Sequence, residues 1–142
     1  MMNSETSSMM NMPASQAIDG AMLRMLAEIG FVGMQCGLWP HAEAIFKGVQ
    51  AVRPASEFPF MSHALARMTV GDDARAIDIL QNQALKINPK NSMARSFLGV
   101  ALRRSGKDKE AQEHFEAVLA ANDDAKAMEM ARMGQSEEFH KN

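Results

Sequence analysis

Tyrosine is absent from this 142-residue chain, and tryptophan and cysteine occur once each. The single cysteine, Cys36, excludes an intramolecular disulfide and a cysteine-based zinc site within one chain, and it fits a reducing, cytoplasmic setting. A basic excess is also missing. Lys and Arg total 15 against 17 Asp and Glu, a net charge of −2, so the electrostatic footprint that displaces counterions from phosphates is lacking and nucleic-acid binding is disfavoured. No window approaches the roughly 20 apolar residues of a membrane span. Residues 1–14, MMNSETSSMMNMPA, carry no positive charge before an apolar run and do not read as a secretory leader. What the chain does have is 46% hydrophobic residues, enough to bury the core of one domain, and an excess of methionine, 14 in all. Methionine is the flexible, polarizable side chain that adapts to irregular apolar surroundings.

The polar, Met-rich residues 1–14 show no periodicity and are expected to form a disordered tail; the alternative is that their methionines pack onto the domain or onto a partner. Residues 135–142 are polar and are expected to fray. Between these ends lies an internal repeat. Gly37, Gly71 and Gly106 are 34 and 35 residues apart, and alanine follows five residues after each, at Ala42, Ala76 and Ala111. Four residues further on stand Phe46, Leu80 and Phe115. Pro54 and Pro89 close the first two units, and Asn122, Asp123 and Asp124, turn and cap formers, close the third. Between the markers apolar residues step by three and four, as in Met22, Met25, Leu26 and Ile29 before Gly37 and Ala42, Ile45, Phe46 and Val49 after it; no stretch alternates like a strand. Glycine sits where a helix must stop and the chain reverse, because it takes positive φ without a Cβ clash. Each unit therefore reads as helix, tight turn, helix, and the spacing predicts helices near 15–36, 39–52, 57–70, 73–87, 91–105, 108–121 and 124–134. Ser15 is placed to cap the first and Asp123 or Asp124 the last.

These positions resemble the tetratricopeptide repeat, whose 34-residue pattern has small, glycine, alanine, aromatic and proline markers in this order. Unit one matches at Leu26, Ile29, Gly30, Gly37, Ala42, Phe46 and Pro54, and unit three at Leu98, Gly99, Leu102, Gly106, Ala111 and Phe115. Unit two matches at Ala64, Gly71, Ala76 and Leu80 but carries His63 and Arg67 where the family has large apolar residues. The resemblance implies an all-α, right-handed superhelical solenoid of three helix pairs, at about 23–56, 57–90 and 91–124, within one domain spanning 15–134. The segment 124–134, with Ala127, Met128, Met130 and Ala131, is expected to cap the exposed apolar face of unit three.

No catalytic constellation is legible. His41, His63, His114 and His140 are scattered one per unit or tail, and none has a partner at i+3 or i+4 that completes a metal motif; His114, near Glu110 and Glu113, reads as a solvated helix face. Cys36 has no accompanying nucleophile signature and reads as a small buried hydrophobe at a helix end. The expectation is a protein that is neither an enzyme nor a metal protein and uses no cofactor. The basic stretch from Lys86 to Lys109 reads as a solvated face or as a rim that steers an acidic partner.

If the family register holds, the concave face presents Phe31, Met34 and Gln35 from unit one, Phe58, Met61, Leu65 and Met68 from unit two, and Met93, Phe97, Val100 and Arg104 from unit three. Such a mostly apolar run suits the i, i+3, i+4 anchors of an amphipathic helix or an extended apolar segment of a protein partner. The chain's length and its first unit, LAEIGFVGMQCGLWPHAEAIFKGVQAVRP, look like the small tetratricopeptide chaperones and apparatus proteins of bacterial type III secretion. That resemblance implies a cytoplasmic chaperone that keeps a small secretion subunit soluble. The alternative is a self-association scaffold that forms a homodimer through the N-terminal helix, with no chaperone role.

Overall fold

A computed structural model describes residues 19–136, and the described chain is helical throughout, without strands. Helix α1 (Gly20–Gln35) and α2 (Trp39–Val52) form the first pair. The second pair is α3 (Phe58–Thr69) and α4 (Asp73–Ile79), the latter running on through a π-helical segment, Leu80–Ala84, and a last turn, Leu85–Ile87. The third pair is α5 (Ser92–Arg104) and α6 (Asp108–Ala121), and α7 (Ala125–Gln135) follows. The first pair packs on the second mainly through α1 against α3, the second on the third mainly through α4 and its π-helical segment against α5, and α7 packs on both α5 and α6.

Local chemistry sets the boundaries. Asp19, Asp72, Asn91 and Asp124 each accept a hydrogen bond from the amide three residues on, at 2.8–3.2 Å, satisfying a first-turn donor of α1, α4, α5 and α7. Pro40 and Pro59 stand in the first turns of α2 and α3, where a missing N–H does no harm. Gly37, Gly71 and Gly106 have φ of 81°, 84° and 81°. The residue after each donates to the carbonyl five back, Leu38 to Gly33, Asp72 to Arg67 and Lys107 to Leu102, which is the paired bonding of a glycine-closed helix end. The third pair ends on Asn122 in the left-handed region, with φ 49°.

Two departures from the expected boundaries have physical causes. Helix α1 begins at Gly20, because Asp19 is extended and caps it; residue 15, where the helix is expected to start, and the expected Ser15 cap lie outside the described residues. The tail expected at 1–14 and most of that at 135–142 also lie outside them. The spacing of 35 residues between Gly71 and Gly106 is absorbed by the π-helical segment. Pro54 follows Gly37 by 17 residues and Pro89 follows Gly71 by 18, so the extra residue falls between Leu80 and Pro89, where the helix widens by one residue per turn.

Each pair is locked by one large side chain against a small one. In unit one the Phe46 ring lies against Gly30 and stacks on His63 of α3, centroids 4.8 Å apart. In unit three Phe115 lies between Gly99 of α5 and Gly134 of α7. A broad core runs through units two and three and the cap, joining Leu80, Leu98, Leu102, Phe115, Val118 and Ala131. Unit one has a smaller core of Ala27, Met34, Ala42 and Phe46 with Ala66 of α3. The cap is also fastened by polar bonds: Ser96 Oγ donates to the Ala127 carbonyl at 2.8 Å and Ser92 Oγ to Asp123 at 2.6 Å.

Candidate functional site

The first helices line one face of the solenoid. There, α1 and α3 diverge into an open cleft of about 200 Å³ lined by Arg24, Ala27, Glu28, Phe31, Phe58, Ser62 and Leu65. On each helix the lining residues are spaced i, i+4, i+7 (Arg24, Glu28, Phe31 and Phe58, Ser62, Leu65), so each set forms a single stripe. The floor is apolar and the rim holds one cation, one anion and one hydroxyl. Such a cleft accepts apolar side chains and leaves polar flanks of a ligand something to bond.

Of the residues expected on the concave face, Phe31, Phe58 and Leu65 meet in this cleft, and Gln35 is exposed at the end of α1. Met34 and Met68 do not belong to it: they are 0% and 5% exposed and sit in the cores of units one and two. Both lie one turn from a cleft residue but rotated towards the second helix of their pair, and an unbranched side chain fills the interior there. Met61, Met93, Phe97 and Val100 are half-buried and pack against the main core rather than lining the cleft. The Met61 sulfur accepts from Asn91 Nδ2 at 3.2 Å. Arg104 is tied down as well, its Nε 3.2 Å from Asp73 and its Nη2 donating to the Met68 carbonyl at 3.0 Å. Asp73 is buried enough that its pKa is raised despite that cation. Arg24, Ala27, Glu28 and Ser62 were not anticipated; the signal was their spacing of three, four or seven residues from Phe31 or Phe58.

The polar residues of α3 that depart from the repeat pattern form a network across the first two units. His63, 2% exposed, donates from Nε2 to Glu43 of α2 at 2.6 Å, and its Nδ1 accepts from Gln50 at 3.1 Å, so the ring is satisfied as a neutral imidazole. Arg67 donates to the same Glu43 oxygen and, at 3.1 Å, to Asp72. Burial pushes the His63 pKa down, against the pull of Glu43. For Glu43, burial works against ionisation, but the bonds from His63 and Arg67 prevail and hold its pKa below the usual carboxylate value. These groups are consumed in joining units and present nothing to a substrate. At the next junction Glu57 accepts from Asn88 at 2.9 Å and Asn91 at 3.2 Å, which lowers its pKa.

Of the basic stretch, Arg95 is engaged with the Pro89 carbonyl and His114, whose pKa burial lowers, while Lys86, Lys90, Lys107 and Lys109 are exposed. Cys36, expected to be buried, is exposed at the C-cap of α1, beside Leu38. Among the described residues no group of His, Cys, Asp and Glu is placed to hold a metal ion, and no helix is long and apolar enough to cross a membrane.

The helix pairs, their glycine turns and the terminal cap define a tetratricopeptide-repeat solenoid. Comparison with solved structures agrees. The first tetratricopeptide domain of Spaghetti (RPAP3), solved bound to an HSP90 peptide, superposes with a TM-score of 0.63 at 22% identity, over 82% of this chain and 93% of that one. The type III secretion translocator chaperone SycD of Yersinia enterocolitica superposes with a TM-score of 0.67 at 16% identity, over 84% of this chain and 89% of that one. No family model and no curated protein matches by sequence.

Proposed function

We propose that the protein is a binding module that holds an amphipathic segment of a protein partner in the cleft between α1 and α3, and that it serves as a cytoplasmic chaperone of bacterial type III secretion. The observation that carries this reading is the convergence of Phe31, Phe58 and Leu65, from two successive units, on one open apolar cleft with Arg24, Glu28 and Ser62 at its rim. An aliphatic anchor seated on that floor buries apolar area at about 25 cal/mol per Å². The rim charges orient the polar face of the same helix. Two neighbours in fold support the choice of ligand: one was solved with a peptide, and the other is a translocator chaperone.

The test is co-expression with small secretion subunits and recovery of a soluble complex. Phe58→Glu together with Leu65→Glu should abolish the complex while circular dichroism and the unfolding midpoint stay near those of the parent. A complex that survives both substitutions would remove the cleft from the binding site. A second reading, self-association through α1 with no chaperone role, is favoured by the apolar outer side of that helix, where Met22, Met25, Ile29 and Val32 are exposed among the described residues. The two readings are separable, because the cleft and the outer side are different faces of α1.

A further inference from the structure

The first and third helix pairs each carry a groove between their two helices, and the repeat lets the two be compared position by position. In unit one the groove has about 280 Å³ and is lined by apolar residues alone, among them Leu23, Leu26, Ile45, Gly48 and Val52. In unit three it has about 380 Å³ and runs between the Pro89 turn and the C-terminal half of α6, with Lys90, Ser92, Arg95, Ala117, Ala121 and Asp123 in its walls. Gly37 and Gly106 are 69 residues apart, and the same step carries Leu23 to Ser92, Leu26 to Arg95, Gly48 to Ala117 and Val52 to Ala121. The two grooves therefore occupy one place in the repeat, with different chemistry. By the same step Ile45 becomes His114. Arg95 is half-buried; its Nη2 donates to the Pro89 carbonyl at 2.8 Å and its Nη1 to His114 Nδ1 at 3.4 Å. Both acceptors are uncharged, since burial and then the Arg95 cation lower the His114 pKa. These bonds fix the guanidinium and leave it further N–H donors. Among the described residues no carboxylate pairs with Arg95 or with the exposed Lys90, and Asp123 on the other wall is engaged with Ser92.

We propose that the unit-three groove is a second binding site, which takes a carboxylate side chain, flanked by an apolar residue, from an acidic segment of a protein partner. The Arg95 fork receives the carboxylate, and Lys90 adds a second positive charge from the rim. Ala117 and Ala121, one helical turn apart, give the flanking apolar side chain a wall to lie on. A half-buried cation with no anionic partner costs desolvation, and leucine fills the equivalent place in unit one, so packing alone does not call for Arg95; an anionic ligand recovers that cost. Lys90 and Arg95 against Asp123 leave one surplus positive charge, which suits a single carboxylate and falls short of what a nucleic-acid backbone requires. The basic stretch is thereby divided. Lys90 and Arg95 serve the groove, while Arg103, Arg104, Lys107 and Lys109 lie at or beyond the other end of α5. The groove shares no residue with the cleft between α1 and α3, so its occupancy is independent of what the cleft holds.

Titration of the isotope-labelled full chain with the blocked peptide acetyl-Ala-Leu-Glu-Leu-Ala-amide, read by backbone amide chemical shifts, tests the proposal. Saturable shifts are expected at residues 90–95 and 117–123, and the counterpart with glutamine for glutamate should bind at least about tenfold more weakly. Arg95→Leu, which installs the unit-one side chain, should abolish these shifts with an unchanged helical spectrum, and Arg95→Lys should restore them only in part. Lys90→Ala, a change at an exposed residue, should weaken binding as well. Asp123→Asn should tighten it, a gain that loss of structural support does not produce. Equal binding of the two peptides, or no shift in these two segments at millimolar peptide, overturns the proposal. Inorganic phosphate that displaces the peptide at equal concentration reduces the groove to a general anion site and overturns it too. If deleting residues 137–142, which include Glu137 and Glu138, moves the same amides without any peptide, the occupant is the end of this chain and the proposal falls. The Phe58→Glu, Leu65→Glu chain should bind the peptide as the parent does, so failure here is distinct from failure of the cleft.

Discussion

Two glycines hold Phe115 where it is, and the consequence is measurable. A Cβ on Gly99 would sit 2.5 Å from the ring, and Gly134 hems the ring from the other side, so it has nowhere to retreat. Alanine gains up to about 1 kcal/mol of helix propensity over glycine, but the overpacking here costs about 1–3 kcal/mol and prevails. Gly99→Ala should therefore lower the urea-unfolding free energy, and a second change, Phe115→Leu, should recover part of the loss. Gly30→Ala should cost less, since its Cβ would stand 3.1 Å from Phe46. His63 gives a pH signature. Its folded pKa lies below the ordinary 6.5 because burial disfavours the imidazolium, so the unfolded chain takes up the proton first. Its contribution is complete above about pH 6.5 and is lost as the pH falls through that value towards the folded pKa. The unfolding midpoint should drop between pH 7.5 and 5.5, and His63→Gln should shrink that drop; His114, also lowered by burial, acts in the same direction. An identical pH profile for the variant would show that His63 is not the titrating group. Neither role was legible in the sequence, where His63 and Arg67 were only departures from a pattern; their partner Glu43 lies 20 residues from His63, on another helix.

A helix tolerates an extra residue only if it can store it without turning its far end off the core. The π-helical segment Leu80–Ala84 does this, keeping Ala76, Ile79, Leu80 and Ala84 on one buried face. Deleting Asn82, an exposed residue of that segment, should restore a regular α-helix and change stability by less than about 1 kcal/mol. Deleting Glu116 from α6, which has no such segment, rotates Val118 off the core relative to Phe115 and should cost several times more. Thermal unfolding of the two deletions side by side decides the matter, and equal losses would deny the segment its role. The sequence carried half of this: 34 and 35 residues between glycines announced one extra residue, but only the backbone showed where it was stored.

Across the whole molecule, stability is unequal. The main core runs through units two and three and the cap, while unit one depends on a small cluster and the polar network at Glu43. Amides of α1 and α2 should exchange with solvent faster than those of α5 and α6, because opening the first pair exposes less apolar surface. Uniform protection along the chain would refute this.

The sequence by itself determined the repeat, its turns and its pairs, because these rest on local requirements: positive φ at Gly37, Gly71 and Gly106, and small residues where Phe46 and Phe115 press in. Which face of each first helix meets solvent was decided only in three dimensions. Methionine suits core, cleft and outer stripe alike, so Met34 and Met68 went inside, Met61 and Met93 to the border, and Met22 and Met25 outside, according to which neighbouring helix stands over each position.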